Sequence, residues 1–279
     1  MSQRVVAVLG RGVVPAQSPI LRADDLGVLR GDGIFETMHV RGSRPWLIED
    51  HLDRMSRSAR LVELDLPARE ALLELAHQAL AEWPTDVEGA LRLVCTRGSE
   101  DGGPVTAFAT LAPIGAGQLR GRREGISVAT ASLGVAADAR SAAPWLLAGA
   151  KTLSYAVNMA SQRWAGGRGV DDMLWVSSDG YVLEAPTSTL VWLAGDTLWT
   201  VPAASTGILP GITARWLLDH ATDLGYEAGE RMIRPAELTA VDGAWLASSI
   251  RGLAEIRTLD GKPLDPAADT ARMLGLLGF

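Results

Sequence analysis

Cysteine is almost missing from this 279-residue chain: Cys95 is the only one, which excludes an internal disulfide and fits a reducing compartment such as the cytoplasm. Histidine is nearly as sparse. His39, His51, His77 and His220 stand far apart with no paired-ligand spacing, so no metal centre is expected. No uninterrupted apolar run approaches membrane length, and the start, Met1-Ser2-Gln3-Arg4-Val5-Val6, lacks an apolar core followed by a small-residue cleavage site; neither an anchor nor an export signal is expected. Positive charge is not in excess either. A net charge of −7 leaves no basic stripe for phosphodiesters, which argues against nucleic acid as a partner, while local arginines could still meet small anions. Lysine is the scarcest basic residue: of 26 lysines and arginines only Lys151 and Lys262 are lysines.

What remains is an ordinary globular composition, 47% hydrophobic with interspersed charge, in a chain long enough for two domains with buried cores. Residues 4 to 10 are a strand candidate, and Gly33 to Val40 followed by Trp46-Leu47-Ile48 reads as a hairpin. Leu52, Met55, Ala59 and Val62 recur at helical spacing from His51 onward; a second helix is expected from Ala68 to Trp83, and a strand from Gly89 to Thr96. The first half, 1–114, is therefore read as an α+β domain. A glycine- and charge-rich connection follows at 115–123, and a second domain spans 124–279. It opens with a strand at Ile126 to Ala131, then a helical pattern from Lys151 to Trp164 stopped by Gly166-Gly167-Arg168-Gly169. A β-meander is expected through Met173-Leu174-Trp175-Val176, Tyr181-Val182-Leu183, Thr189 to Trp192 and Leu198 to Val201, and then a helix from Thr213 to Leu224 stopped by Gly225.

The two lysines sit in different company. Lys262 lies in the turn Asp260-Gly261-Lys262-Pro263, where a charged tip is solvated. Lys151 follows Trp145-Leu146-Leu147-Ala148-Gly149-Ala150 and precedes an apolar helical pattern, which leaves two readings: its head reaches water along a flexible stem, or burial eases its deprotonation, as an amine that condenses with a carbonyl requires. The run Gly207-Ile208-Leu209-Pro210-Gly211-Ile212-Thr213 is a turn feeding a helix. The amides of Ile212 and Thr213, the helix dipole and the threonine hydroxyl would suit a phosphate, but an ordinary cap needs the same residues. Ser248 and Ser249 form another polar knot that reads as a capping turn. Glu184, closing a strand that should be half buried, is either exposed or paired with a cation such as a protonated pyridine nitrogen. Arg54, Arg57 and Arg60 have the three-residue spacing of a solvated helix face.

Taken together, Gly31-Asp32-Gly33-Ile34-Phe35-Glu36-Thr37, His51-Leu52-Asp53-Arg54-Met55, Lys151-Thr152-Leu153-Ser154-Tyr155, Glu184 through Leu190 and Leu209-Pro210-Gly211-Ile212-Thr213 resemble, in order and spacing, the fold type IV pyridoxal-phosphate enzymes. That family includes branched-chain aminotransferases, D-amino-acid aminotransferases and aminodeoxychorismate lyases. The resemblance implies an α/β (α+β) fold of two domains: a smaller N-terminal α+β domain, and a larger C-terminal domain with a β-barrel-like sheet. It further implies pyridoxal 5′-phosphate at their junction, a mobile connection near Gly115 to Gly121, a small-molecule amino substrate and a homodimer. Carried onto this chain, it makes Lys151 the residue that holds the cofactor covalently, and Arg54, Ile212, Thr213 and Ser249 its phosphate contacts. Glu184 becomes the partner of the pyridine nitrogen and Tyr155 that of the 3′-oxygen. Thr189 stands where relatives often carry asparagine, and no role is carried to it.

The same resemblance bears on the reaction. Thr37 matches the position where lyases of the family tend to carry a threonine, and Arg97-Gly98-Ser99 is similar to a run of theirs, while the Arg-x-His trap of D-amino-acid transaminases is missing. Phe35, Arg92, Arg97 and Arg251 are the candidates for binding a dianionic substrate. The expected activity is conversion of 4-amino-4-deoxychorismate to 4-aminobenzoate and pyruvate, a step of folate synthesis. The alternatives are a D-amino-acid or branched-chain aminotransferase and, more remotely, a non-catalytic binding relative.

Overall fold

The computed structural model describes residues 4–279; the first three residues of the N-terminal stretch considered above lie outside it. The chain divides into two compact units, Met1–Gly115 with Ala150–Tyr155, and Ala116–Gly149 with Ala156–Phe279.

The first unit is built on a six-stranded antiparallel sheet. Its strands are β1 (Val5–Val8), β2 (Gly12–Val14), β3 (Gly33–Arg41), β4 (Arg44–Pro45), β5 (Gly89–Thr96) and β6 (Thr106–Pro113), in the order β2-β1-β6-β5-β3-β4. Helix α1 (Leu26–Leu29) is a single turn capped by Asp25, and the longer α2 (Ile48–Leu61) and α3 (Arg69–Ala81) cover one face of the sheet. Strand period two decides which side chains meet them: Ile34, Met38 and Val40 of β3 and Leu91, Leu93 and Cys95 of β5 point inward. They pack on Leu52, Met55 and Ala59 of α2 and Leu72, Leu75 and Ala76 of α3, each contributing roughly 1.5–3 kcal/mol on burial if large. Phe35, Thr37 and Arg92 alternate with this set and so occupy the opposite sheet face.

Two local expectations fail here. Trp46-Leu47-Ile48 is not a strand: Trp46 still donates to the His39 carbonyl, but Leu47 adopts a left-handed conformation (φ 53°) and turns the chain into α2, which begins at Ile48. Lys151 to Tyr155 is not helical. The Phe35 amide donates to the Lys151 carbonyl at 3.2 Å and the Leu153 amide to the Gly33 carbonyl at 2.8 Å, so this segment lies extended alongside β3. Long-range pairing overrides the local helical period, and the helix starts only at Ala156.

The second unit carries an eight-stranded mixed sheet. Its strands are β7 (Ile126–Ser132), β8 (Asp172–Val176), β9 (Thr189–Ala194), β10 (Thr197–Thr200), β11 (Glu227–Glu230), β12 (Gly243–Ser248), β13 (Gly252–Leu259) and β14 (Lys262–Pro263). The order is β11-β10-β9-β12-β13-β7-β8, with β14 on β13. Its helices are α4 (Ala116–Glu124), α5 (Ala156–Gly167), α6 (Ala203–Thr206), α7 (Ile212–Asp219) and α8 (Thr270–Leu276). Leu174, Val182, Leu190, Trp192, Leu246, Ala254 and Ile256 form its core.

The expected meander is broken in the middle. Residues 175 to 184 do form a hairpin, with Leu183 donating to the Trp175 carbonyl at 2.8 Å and Trp175 to the Glu184 carbonyl at 2.9 Å. The next strand, however, pairs with β10 and β12, while β8 pairs in parallel with β7. The stretch 116–124, expected as a connection, is helix α4 despite Gly117 and Gly121. It packs on β13, and Arg122 near its end donates to the Ile250 and Arg251 carbonyls at 2.9 and 3.1 Å. The helix expected from Thr213 to Leu224 ends at Asp219 and continues as a 3-10 turn, which Gly225 (φ 81°) closes.

Candidate active site

In the first unit the outer face of β3 and β5 gathers one cluster. The Lys151 Nζ lies 4.4 Å from the centre of the Phe35 ring and 5.5 Å from that of Tyr155, and those two rings meet edge-on at 5.2 Å. Extended backbone brings the lysine here, because pairing with β3 sets residue 151 beside residue 35. Its amide donates to Ser58 Oγ at 3.0 Å, which ties the segment to α2. Directly across the β3–β5 ladder from Thr37 is Arg92, whose Nε donates to Thr37 Oγ1 at 3.4 Å and whose guanidinium lies 5.7 Å from the Phe35 ring centre. Burial lowers the Arg92 pKa, Tyr155 opposes this and Arg4 adds to it. Arg92 has no carboxylate partner among the described residues.

Arg54 does not lie on a solvated face. Arg57 and Arg60 are exposed, whereas Arg54 is buried on the α2 stripe that also carries His51 and Ser58. Its Nε and Nη2 donate to the two oxygens of Glu36, both at 2.7 Å, and His51 Nδ1 lies 2.7 Å from Glu36 Oε2. Burial pushes the Glu36 carboxyl up, but the Arg54 charge and the hydrogen bonds from Arg54 and His51 outweigh it and hold it at about 2. Burial lowers the His51 pKa, only partly opposed by Glu36, so the ring is neutral near pH 7 and Nδ1 must carry the proton it donates to the carboxylate.

In the second unit the turn Gly207 to Gly211 feeds α7. Gly207 (φ 67°) ends α6 where a Cβ would stand 2.7 Å from Arg140 Cβ, so only glycine fits. Gly211 precedes α7, and a Cβ there would collide with Thr189 Oγ1. No side chain caps this helix start, and the buried Thr213 Oγ1 has no hydrogen-bond partner. An orphaned hydroxyl beside unpaired helix N–H groups is costly unless an acceptor arrives, and a phosphate supplies one. Glu184 is buried, its Oε1 accepting from Arg140 Nη1 at 3.0 Å and its Oε2 from the Leu209 amide at 3.2 Å. Ser249 is half-buried in the β12–β13 turn, whose carbonyls Arg122 holds while its guanidinium stacks 4.0 Å from the Phe279 ring centre.

Two substrate candidates are engaged elsewhere. Arg97 donates to both oxygens of Asp32, at 2.7 and 3.2 Å, and to the Val62 and Glu63 carbonyls, because the turn after β5 aims it back along the first unit. Arg251 is buried with its Nη2 on Asp172 Oδ2 and Ser188 Oγ, both at 2.9 Å, which ties the β12–β13 turn to β8. Both guanidiniums are therefore ion-paired within their own units, and the buried Arg251 Nε has no hydrogen-bond partner among the described residues. Arg140 escaped the sequence reading. The one signal that pointed to it was the buried Glu184 carboxylate, which needs a cation. Lys262 pairs into β14 with its side chain exposed, and Cys95 is buried in the first core, where burial and then the charge of Asp25 push its thiol up to about 12.

In the first unit an amine seated against two aromatic rings suits an aldehyde, and in the second a helix start with an orphaned hydroxyl suits a phosphate. The amino-transferase class IV family model matches residues 33–259. A bifunctional aminodeoxychorismate lyase / D-amino acid transaminase of Mycobacterium tuberculosis is 42% identical over 276 residues, 95% of each chain. Among solved structures, the pyridoxal-phosphate-bound form of a hypothetical aminotransferase from Mycobacterium tuberculosis superposes with a TM-score of 0.94 at 40% identity, covering 99% of this chain and 98% of that one. A fold IV transaminase from Curtobacterium pusillum gives 0.91 at 35% identity, covering 98% of each. The cofactor is therefore pyridoxal 5′-phosphate, and the chain belongs to the amino-transferase class IV family, the fold type IV pyridoxal-phosphate enzymes.

Proposed function

We propose that this protein is a 4-amino-4-deoxychorismate lyase, releasing pyruvate and 4-aminobenzoate, with amino-group transfer from D-amino acids as a second activity of the same residues. The observation that carries the reading is the pair Thr37–Arg92 on the sheet face that also bears Lys151 and Phe35. Arg92 donates to the Thr37 oxygen, which leaves the hydroxyl hydrogen to form a hydrogen bond to the enolpyruvyl oxygen and stabilise the charge that builds there as its bond to the ring breaks. With no carboxylate partner among the described residues, the Arg92 guanidinium is available for a substrate carboxylate.

When bound, pyridoxal phosphate supplies an electron sink for the carbon from which a proton is lost. Lys151 would hold the cofactor and its amine would take that proton, and Phe35 and Tyr155 are the rings against which the amine is seated. Glu184, fixed by Arg140 and the Leu209 amide, would pair with the pyridine nitrogen. Arg54, Ile212, Thr213 and Ser249 would hold the phosphate, and Tyr155 the 3′-oxygen. The second reading is favoured by the Mycobacterium tuberculosis relative, whose name carries both activities. The working form is proposed to be a cytoplasmic homodimer.

The test measures 4-aminobenzoate and pyruvate from aminodeoxychorismate beside amino transfer from D-alanine to a 2-oxo acid. Thr37→Val is expected to lower lyase turnover by about 10²-fold and transamination by far less. No aromatic product from the wild-type enzyme overturns the lyase reading and leaves the transaminase.

A further inference from the structure

The three side chains Glu36, His51 and Arg54 form a fully interior polar cluster inside an otherwise apolar core. Glu36 shares its strand face with Ile34, Met38 and Val40, and its carboxylate accepts three hydrogen bonds of 2.7 Å each from Arg54 and His51. Such an arrangement is a poor source of stability. Removing two charges from water costs about as much as their attraction returns, and apolar side chains of similar volume would serve the core as well. What it does supply is geometry. The bidentate grip on the Nε–Nη2 edge fixes the plane of the guanidinium, and His51, one turn earlier on the same helix stripe, fixes the carboxylate in turn. The stripe continues to Ser58, which receives the Lys151 amide, so one helix face orients both the guanidinium and the lysine backbone.

We propose that Glu36, braced by His51, is a positioning residue that presents Arg54 to the cofactor phosphate, so that this buried trio sets the preference for the phosphorylated over the unphosphorylated aldehyde. The inference rests on the reading of Arg54 as a phosphate contact. It adds that the contact is pre-set from inside the core by residues that never touch the ligand. Arg54 held loosely would have to be ordered on binding, and the phosphate would lose affinity by that amount.

The experiment titrates the cofactor-free full chain with pyridoxal 5′-phosphate and, separately, with pyridoxal, following the visible absorbance change and the mass added after borohydride reduction. Wild-type protein is expected to prefer the phosphate ester by about 10²-fold or more, given charge-assisted hydrogen bonds of this kind. Glu36→Gln should cut that ratio by about 10-fold while pyridoxal affinity stays within about 2-fold. His51→Leu, which removes one donor without leaving a buried charge, should give a smaller cut in the same direction. His51→Asn, which keeps an N–H near the Nδ1 position, should restore the ratio. If Glu36→Gln does not fold, the His51 pair decides. Equal losses of both ligands, or an unchanged ratio in Glu36→Gln and His51→Leu, overturn the positioning role. Arg54→Gln separates the two levels: if it abolishes the preference and the Glu36 and His51 variants do not, only this inference fails. If wild type shows no preference, or Arg54→Gln leaves it intact, the phosphate reading of Arg54 fails.

Discussion

In the first unit the buried Arg54 guanidinium meets Glu36 at two atoms, both at 2.7 Å, whereas in the second the buried Thr213 hydroxyl has no hydrogen-bond partner among the described residues. Both residues are proposed as phosphate contacts, yet one is satisfied before any ligand arrives and the other would be satisfied only by it. The difference separates two ways of preparing an anion site. A guanidinium carries a full charge that the core cannot tolerate alone, so the protein supplies a counter-ion and with it a fixed direction. A hydroxyl at a helix start costs far less to leave unpaired, and it can be kept waiting. The first arrangement contributes orientation; the second contributes a binding increment that is withheld from the empty protein.

The comparison can be broken or sharpened by substitution. The largest effect is expected from Lys151→Ala, which removes the amine common to either activity: turnover should fall by 10³-fold or more by order of magnitude, with no borohydride-fixed cofactor, while Lys262→Ala matches wild type. Arg54→Met should destabilise the cofactor-free protein by about 3–5 kcal/mol in denaturant titration, because it strands the Glu36 carboxylate in the core. An unchanged midpoint would mean that Glu36 was never dependent on it. The acid limb of stability should also report the trio. Glu36 titrates at about 2 in the fold and near the ordinary carboxylate value when unfolded, so the unfolded chain binds more protons between these pH values. Its contribution is fully present above about pH 4.5 and is lost as pH falls toward 2, about 3 kcal/mol in all; the His51 contribution begins to fade earlier, below about pH 6.5. Urea midpoints measured across pH 2–7 should flatten at the acid end in Glu36→Gln. The smallest effect has the opposite sign. Thr213→Val replaces an unpaired hydroxyl by a methyl group, so it should stabilise the cofactor-free protein by up to about 1 kcal/mol while weakening pyridoxal-phosphate binding. A loss of stability there would remove the contrast between the units.

Much of this was legible in the sequence, for reasons that can be named. Strand β5 has the bounds its alternation predicts, Gly89–Thr96, because its core face is set by side-chain period alone. The helix start after Gly211 and the stop at Gly225 follow from turn chemistry within a few residues. Lys151 to Tyr155 misled because their backbone partners lie more than a hundred residues away on β3, and no local period records such a pairing. Arg54 misled for a related reason. Its spacing with Arg57 and Arg60 describes a wet surface, and only Glu36, on a different element, explains why the first of the three is inside. Arg140 left no local trace at all. The family motifs singled out Lys151, the turn before α7 and Glu184, but they could not show that Arg97 and Arg251 pair with Asp32 and Asp172.

The lysine-bearing segment also has a consequence for how the protein can be cut. On that flank of β3 the short β4 covers only the far end, so among the described residues Lys151 to Leu153 close off positions 33 to 35. A fragment ending at Gly115 would contain every strand of its sheet and still be left with a bare, hydrogen-bond-hungry margin, the kind that recruits strands from neighbouring molecules. The residue assigned to the chemistry thus sits on the strip that guards against aggregation.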